Sequence, residues 1–269
     1  MQTNYHTHTT RCGHASGTDR EILEAAVGVG ITELGISEHL PGNFFDLDTK
    51  TGYRLRCDAI EEYVNTFTAL RAEYSGRLTL FLGFEFGFYP EFFEQIMDQL
   101  TPYPIDYLIL GQHSVGRFCD RDGYLEDDPE RLRQYADRVT AGIETGCWSY
   151  VAHPDKLPYR TQDEAFRREF RRIIDACIAH DLPLEINGAA LMKDSWFPCP
   201  EFFTLAAERG AKAIIGADAH DPGTVGDPVL YEKCRAFAAK VGISVVPQLR
   251  RRDPFRAYRA WKETAGRKI

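Results

Sequence analysis

The sequence lacks several features that mark particular classes of protein. None of its apolar runs approaches the roughly 18–20 residues needed to cross a bilayer, so we expect no transmembrane helix and no membrane partner. The seven cysteines nowhere form Cys-x-x-Cys, which favours reduced thiols and a cytoplasmic protein. No basic stretch followed by an apolar run stands near Met1, so we expect neither a signal peptide nor a transit peptide.

Positive charge is also scarce. The 32 Lys and Arg residues stand against 40 Asp and Glu, which gives a net charge of −8. This excess of acidic residues argues against a protein whose main role is to bind nucleic acid, although it allows a local basic pocket for a small anion. Neither G-x-S-x-G nor a phosphate-loop motif occurs, so the familiar serine-nucleophile and nucleotide-loop enzymes are not indicated. The oligomeric state stays open.

The 269 residues are 43% hydrophobic and contain enough large apolar side chains for a core. Short apolar runs alternate with segments of helical period, which predicts a parallel sheet covered by helices. About seven such units in a single domain spanning residues 1–269 favour an α/β barrel of the TIM type over an open sheet. Two polar stretches, near 41–56 and 114–127, are expected to be loops over the barrel mouth. The predicted strands are Thr3–Tyr5, Leu34–Ile36, Leu78–Phe84, Tyr107–Leu110, Ser149–Ala152, Leu184–Ile186 and Ala213–Ile215.

Histidines and carboxylates recur where these strands end. In a parallel barrel all such ends open onto one face, so we expect the side chains to converge there. Imidazoles and carboxylates bind zinc, manganese or iron, and nine groups exceed the roughly four ligands of one zinc ion. The pattern therefore predicts a site for two or three divalent metal ions. Its residues are His6, His8, His14, His39, Glu85, His113, His153, Asp218 and His220. We interpret the remaining His180 as a helix-end residue.

Taken together, these motifs resemble the PHP (polymerase and histidinol phosphatase) superfamily. The strings concerned are Tyr5-His6-Thr7-His8 with the loop to His14, Ser37-Glu38-His39, Gly83-Phe84-Glu85, Gly111-Gln112-His113, Ala152-His153-Pro154 and Asp218-Ala219-His220. The resemblance implies a distorted (β/α)7 barrel with a trinuclear metal cluster. It also implies how the ligands are shared: His6, His8, Glu85 and Asp218 for one ion, Glu85, His113 and His153 for a second, and His14, His39 and His220 for the third.

Clustered metals at a barrel mouth suit hydrolysis of phosphate esters by a metal-bridging hydroxide. Glu85, Asp218 and His220 are the expected catalytic residues, with Asp218 or His220 helping to move a proton. Length and the long loop after the second strand resemble the stand-alone histidinol-phosphatase branch, which implies L-histidinol phosphate as substrate. The alternatives are another small phosphate ester (a sugar phosphate, a nucleotide or phosphotyrosine) and a non-catalytic metal-binding domain.

Three arginines are candidates for the substrate phosphate, because a guanidinium can pair with phosphate bidentately. They are Arg160, seven residues after His153, then Arg117 and Arg11. Glu185 and Asn187 close a strand and are expected to face the mouth, where they could meet a substrate amine.

Overall fold

The chain forms one parallel sheet whose strands follow each other in sequence order. The computed structural model describes residues 2–40, 54–115 and 127–265. Every strand pair in these ranges is parallel, and helices connect them, so the predicted α/β barrel architecture is confirmed. The strands are β1 (Gln2–Asn4), β2 (Ile31–His39), β3 (Thr79–Phe86), β4 (Tyr107–Leu110), β5 (Tyr150–Val151), β6 (Leu184–Asn187), β7 (Lys212–Gly216) and β8 (Ser244–Val245).

The sheet curls until the segments that follow β1 and β7 meet. Thr7 and Ala219 form a parallel bridge, and the backbone N–H of His8 donates to the carbonyl of Ala219 over 2.8 Å. At the opposite end, β8 pairs with the first residues of β7. The mouth is therefore rimmed by the ends of β1 to β7, and β8 adds an eighth strand only at the far end. This asymmetry is the distortion of the barrel.

The outer layer consists of helices. The sequence predicts six of them, in residues 19–29, 60–74, 128–146, 166–177, 200–210 and 230–241, and all six are present. Four further helices, which begin at Pro90, Gly188, Pro222 and Pro254, were not predicted. The helices are α1 (Asp19–Gly28), α2 (Ile60–Glu73), α3 (Pro90–Leu100), α4 (Pro129–Glu144), α5 (Glu164–Ala179), α6 (Gly188–Met192), α7 (Pro200–Glu208), α8 (Pro222–Val225), α9 (Pro228–Val241) and α10 (Pro254–Ala265). Their apolar faces pack on the sheet, while an inner layer that includes Tyr5, Phe81, Tyr107 and Tyr150 fills the barrel below the mouth. The interior of the barrel below the mouth is thus a packed core.

Most of the two predicted mouth loops, residues 41–53 and 116–126, lies outside the described residues. In the ranges that are described, no helix combines the length and the apolar character needed to cross a membrane.

Candidate metal centre

The strand ends bring all nine predicted ligand residues into one cluster at the mouth. His6 and His8 follow β1, His39 ends β2 and Glu85 lies in β3 directly opposite His39. The rings overlap or touch across the mouth: the centroid distances are 4.0 Å for His8–His39, 4.3 Å for His8–His220, 4.5 Å for His14–His220 and 4.8 Å for His113–His153. Residues 214 positions apart in the chain, from His6 to His220, therefore share one site.

Glu85 occupies the centre of this cluster. Its two carboxylate oxygens lie 2.7–3.6 Å from ring nitrogens of His6, His8, His39, His113 and His153. Burial alone would raise the pKa of the carboxyl, but the surrounding imidazoles hold it well below its usual range. Gly111, the residue after β4, leaves space for this carboxylate because it has no side chain: an added Cβ would overlap Glu85 Oε1 and lie 2.6 Å from Cδ. Glu85 is therefore an ionised carboxylate that can bridge neighbouring cations.

The backbone is adjusted where two of the predicted ligands leave their strands. His153 and Asp218 have φ angles of 30° and 50°, in the left-handed region that residues other than glycine seldom adopt. Such conformations persist only where the surrounding structure holds them, and they concentrate at functional sites.

Several ligand atoms of the cluster are buried without a hydrogen-bond partner. They include Nε2 of His6, His8 and His220, and Oε2 of Glu85. A buried polar atom without a partner is costly, and a bound cation would supply the partner.

The spacing of the ligand atoms also fits a cation. Asp218 Oδ1 lies 3.4 Å from His6 Nε2 and 3.3 Å from His8 Nε2. Two ligand atoms about 2.1 Å from a tetrahedral zinc ion stand about 3.4 Å apart. The residues present therefore fit a divalent metal ion.

The ligand atoms form overlapping groups rather than three separate sets. Five groups have all their ligand atoms within 4.8 Å of one another: His6–His8–Glu85, His6–His153–Asp218, His39–Glu85–His113, His8–His39–His220 and Cys12–His14–His220. His39 thus reaches Glu85 and His113 as well as the other histidines. Cys12 was not predicted as a neighbour of the site. Burial raises the pKa of its thiol to about 12, so it is protonated at neutral pH and a poor ligand in that form.

Charge is distributed unevenly among the imidazoles. Burial, reinforced by the charge of His8, lowers the pKa of His39 to about 4 and that of His220 to about 3. These rings are neutral at pH 7, which is the form that binds metals. Burial acts in the same direction on His8, but the neighbouring carboxylates of Asp218 and Glu38 outweigh it and raise the pKa to about 9.

The expectation that Glu185 faces the mouth to meet a substrate amine is wrong. The side chain is completely buried, and its Oε1 lies 2.6 Å from His6 Nδ1. Its Oε2 accepts hydrogen bonds from the backbone N–H of His153 over 2.9 Å and from Asn187 Nδ2 over 3.1 Å. Asn187 Nδ2 also donates to Asp218 Oδ2 over 3.0 Å. The inward-facing side chains of β6 therefore support the cluster from beneath.

The chain is similar in sequence to a known protein family. The family model for the PHP domain matches residues 4–189. The chain belongs to the PHP domain family. This PHP domain is 29% identical over 239 residues to a probable histidinol-phosphatase of Deinococcus radiodurans, which covers 82% of this chain and 87% of the relative. It is 24% identical over 262 residues to the histidinol-phosphatase of Bacillus subtilis, covering 82% and 94%.

A solved structure shares the fold of this PHP domain. It is the histidinol phosphate phosphatase of Lactococcus lactis subsp. lactis, complexed with zinc, L-histidinol and phosphate. The TM-score is 0.72 at 20% sequence identity, with 91% of this chain and 95% of the other covered. At that identity the likeness establishes the barrel fold.

Two of the three predicted phosphate-binding arginines lie in the described part of this PHP domain, and their surroundings differ. The guanidinium of Arg11 is committed to two carboxylates, with Nη1 2.8 Å from Asp19 Oδ1 and Nε 2.7 Å from Glu62 Oε2. Arg160 is exposed on the loop after β5, where its backbone N–H donates to Asp127. Arg117 lies outside the described residues.

Lys156, which was not predicted as a site residue, lies beside one of the predicted ligands. The backbone N–H of Lys156 donates to the carbonyl of His153 over 3.0 Å, and its Nζ lies 5.7 Å from the ring centre of Phe197. After burial, the charge of Lys156 is the largest cause of the strongly lowered pKa of His113. Among the residues with described positions, no carboxylate forms an ion pair with this ammonium group. Its place three residues after His153 was the available sequence signal.

Proposed function

We propose that this PHP domain is a metal-dependent phosphatase that hydrolyses L-histidinol phosphate to L-histidinol and phosphate. The observation that carries the proposal is the single mouth cluster around Glu85, in which buried imidazole nitrogens lack hydrogen-bond partners. The relatives named histidinol-phosphatase support the substrate, because their similarity extends over 82% of this chain.

The nine clustered residues are proposed to hold two or three divalent ions, with zinc, manganese and iron as the candidates. Such ions, when bound, supply Lewis acidity toward phosphoryl oxygens and promote the ionisation of water. Glu85 contributes a carboxylate that reaches both halves of the cluster, since one oxygen faces His113 and His153 and the other faces His6, His8 and His39.

Asp218 is the residue best placed to move a proton. Burial would raise its pKa, but His6, His8 and His220 hold the pKa well below its usual range, so the carboxylate is ionised at neutral pH. Asn187 holds Oδ2, which leaves Oδ1 directed at the cluster. As the water oxygen attacks phosphorus and the ester P–O bond breaks, Asp218 would accept the proton from water and pass it to the departing alkoxide. His220, which is neutral at pH 7, is assigned the role of a ligand.

The phosphate of the substrate is proposed to meet Lys156 and Arg160, two cations on the loop after β5. Lys156 has the stronger support, because its charge already acts on His113 within the cluster. Arg117 stays a prediction. We leave Arg11 out of the proposed site, because Asp19 and Glu62 already occupy its guanidinium.

Replacing Lys156 by Met is expected to lower kcat/KM for L-histidinol phosphate about 10- to 100-fold, mainly through a higher KM, because a charge-assisted hydrogen bond contributes about 1.5–3 kcal/mol. Steady-state kinetics and metal content of the purified variant check this, and metal content should not change. The matched control is Lys212→Met, which removes an exposed lysine from the start of β7 at the opposite end of the barrel. An unaltered KM in the Lys156 variant would exclude a phosphate contact.

The experiment that tests the function is phosphate release from L-histidinol phosphate by protein loaded separately with manganese, zinc or iron. A sugar phosphate, a nucleotide and phosphotyrosine serve as comparison substrates. We expect a kcat/KM of about 10⁴ M⁻¹s⁻¹ or more with L-histidinol phosphate, well above the comparison substrates, and no activity in metal-free protein. Similar weak activity on all esters would reject this substrate. Metal binding without turnover of any ester would support the non-catalytic alternative.

A further inference from the structure

Two buried carboxylates outside the nine predicted ligands lie directly behind the paired histidines of the first motif. Glu185 Oε1 is 2.6 Å from His6 Nδ1, and Glu38 Oε1 is 3.5 Å from His8 Nδ1. All four side chains are completely buried. Each imidazole therefore has one nitrogen toward a carboxylate, while its Nε2 lies within 3.3–3.6 Å of Glu85 and Asp218 oxygens at the cluster.

The carboxylate of Glu185 is held in a fixed position. Besides His6, it accepts hydrogen bonds from the His153 backbone and from Asn187. A Cβ added at Gly216 on the adjacent strand would overlap Oε1 of Glu185 and lie 2.7 Å from its Cδ. The carboxylate can therefore occupy this position only because residue 216 is a glycine. Across the described part of the chain, no lysine or arginine pairs with Glu185. The ionisable ring in direct contact with it is that of His6.

Glu38 is held by different contacts. Its Oε2 accepts hydrogen bonds from the backbone N–H of Thr9 over 3.0 Å and from Thr9 Oγ1 over 2.6 Å. Its Oε1 accepts one from the backbone N–H of His39 over 2.9 Å. Glu38 thus connects the backbone of one predicted ligand with the ring of another. The longer distance to His8 Nδ1 predicts a weaker effect than that of Glu185 on His6.

A carboxylate at one ring nitrogen determines what the other nitrogen can do. When the proton is on Nδ1 and the Nδ1–H group donates a hydrogen bond to a carboxylate, Nε2 has a free lone pair. The ring then binds a metal ion more strongly through Nε2. Nε2 of both His6 and His8 is a buried atom without a hydrogen-bond partner. Nδ1 of His6 is hydrogen-bonded to Glu185, whereas no hydrogen bond joins Nδ1 of His8 to Glu38, which lies 3.5 Å away. We propose that Glu185 is a positioning residue that holds His6 in the Nδ1–H form and so strengthens the binding of a divalent ion by this ring, and that the charge of the more distant Glu38 favours the same form of His8. This inference rests on the metal-binding part of the proposed function and is independent of the substrate.

The test is the zinc affinity of Glu185→Gln in the full chain, measured by competition with a chromogenic chelator in the absence of substrate. We expect affinity to fall about 10- to 100-fold, the usual effect of losing such an outer carboxylate. The melting temperature of the metal-free variant should fall as well, because the amide has one acceptor oxygen and cannot accept the bond from His6 together with those from His153 and Asn187. Glu38→Gln should show the same pattern with a smaller loss of affinity.

Glu169→Gln is the matched control. Glu169 is also buried, but it pairs with Arg168 and Arg172 on α5, away from the cluster. This substitution should lower the melting temperature and leave zinc affinity intact. A Glu185→Gln protein that behaves like this control would overturn the proposal. If Glu185→Gln does not fold, Glu38→Gln decides, and unaltered zinc affinity there overturns it. Wild-type protein that binds zinc but does not hydrolyse L-histidinol phosphate would reject the proposed substrate and leave this inference standing.

Discussion

Replacing Glu85 by Gln is expected to lower kcat/KM for L-histidinol phosphate by about 10³-fold or more, because a carboxylate that serves several cations contributes several kcal/mol to such a site. The amide keeps the shape of the side chain but loses the negative charge that faces five imidazoles. Metal content should fall together with activity.

Activity, metal content by mass spectrometry and melting temperature of the same preparation separate loss of the site from loss of the fold. Glu169→Gln again serves as the control, since it removes a buried carboxylate that pairs with arginines on α5. It should keep its metal and its activity. A Glu85→Gln enzyme with more than a tenth of wild-type kcat/KM would show that Glu85 is not the centre of the reaction.

The convergence of the site could be predicted because barrel topology fixes it. A strand that ends in a histidine contributes that histidine to the mouth, whatever its distance in the chain, since all strands run in the same direction. His39 and Glu85 illustrate this: they lie 46 positions apart in sequence and directly opposite one another in β2 and β3. Their meeting follows from strand ends alone.

The partners of individual side chains could not be predicted in the same way. Glu185 is 179 residues from His6, and the sequence does not reveal whether an inward carboxylate faces substrate or a buried ring. Arg11 stands among the metal motifs, yet Asp19 and Glu62 from two different helices take up its donors. Both outcomes depend on which side chains the packed helices and strands bring within 3 Å, and no local pattern encodes that.

The missed elements have two different causes. Helix α3 carried readable signals: Pro90 stands at its first position, and Phe93, Ile96, Met97 and Leu100 are buried at helical spacing. Strand β8 carried almost none, because it consists of two exposed residues that pair only with the start of β7. A two-residue strand forms because a neighbouring strand is available to pair with it, so its own sequence contains little signal.

Replacing Gly111, the residue after β4, by Ala adds one methyl group without a change of charge and is expected to impair catalysis. In Gly111→Ala, the new Cβ would overlap Glu85 Oε1 and lie 2.6 and 2.7 Å from Cδ and Cγ, so the carboxylate has to move away from the imidazoles. Displacement of a reacting group by about 1 Å can cost about 10²-fold in rate, and we expect kcat/KM to fall by at least that factor, with reduced zinc content.

The matched control is Gly28→Ala near the end of α1, where an added Cβ would meet no atom within 4 Å. That change should leave kinetics untouched and raise stability by about 0.4–1 kcal/mol, because alanine restricts the unfolded chain more than glycine does. Kinetics, zinc content and thermal unfolding of the two variants, measured side by side, provide the comparison. Because Gly111 does not adopt a left-handed conformation, alanine is compatible with its backbone, and any loss must come from the lack of space beside Glu85. Wild-type kinetics in Gly111→Ala would therefore mean that the position of this carboxylate does not control the reaction.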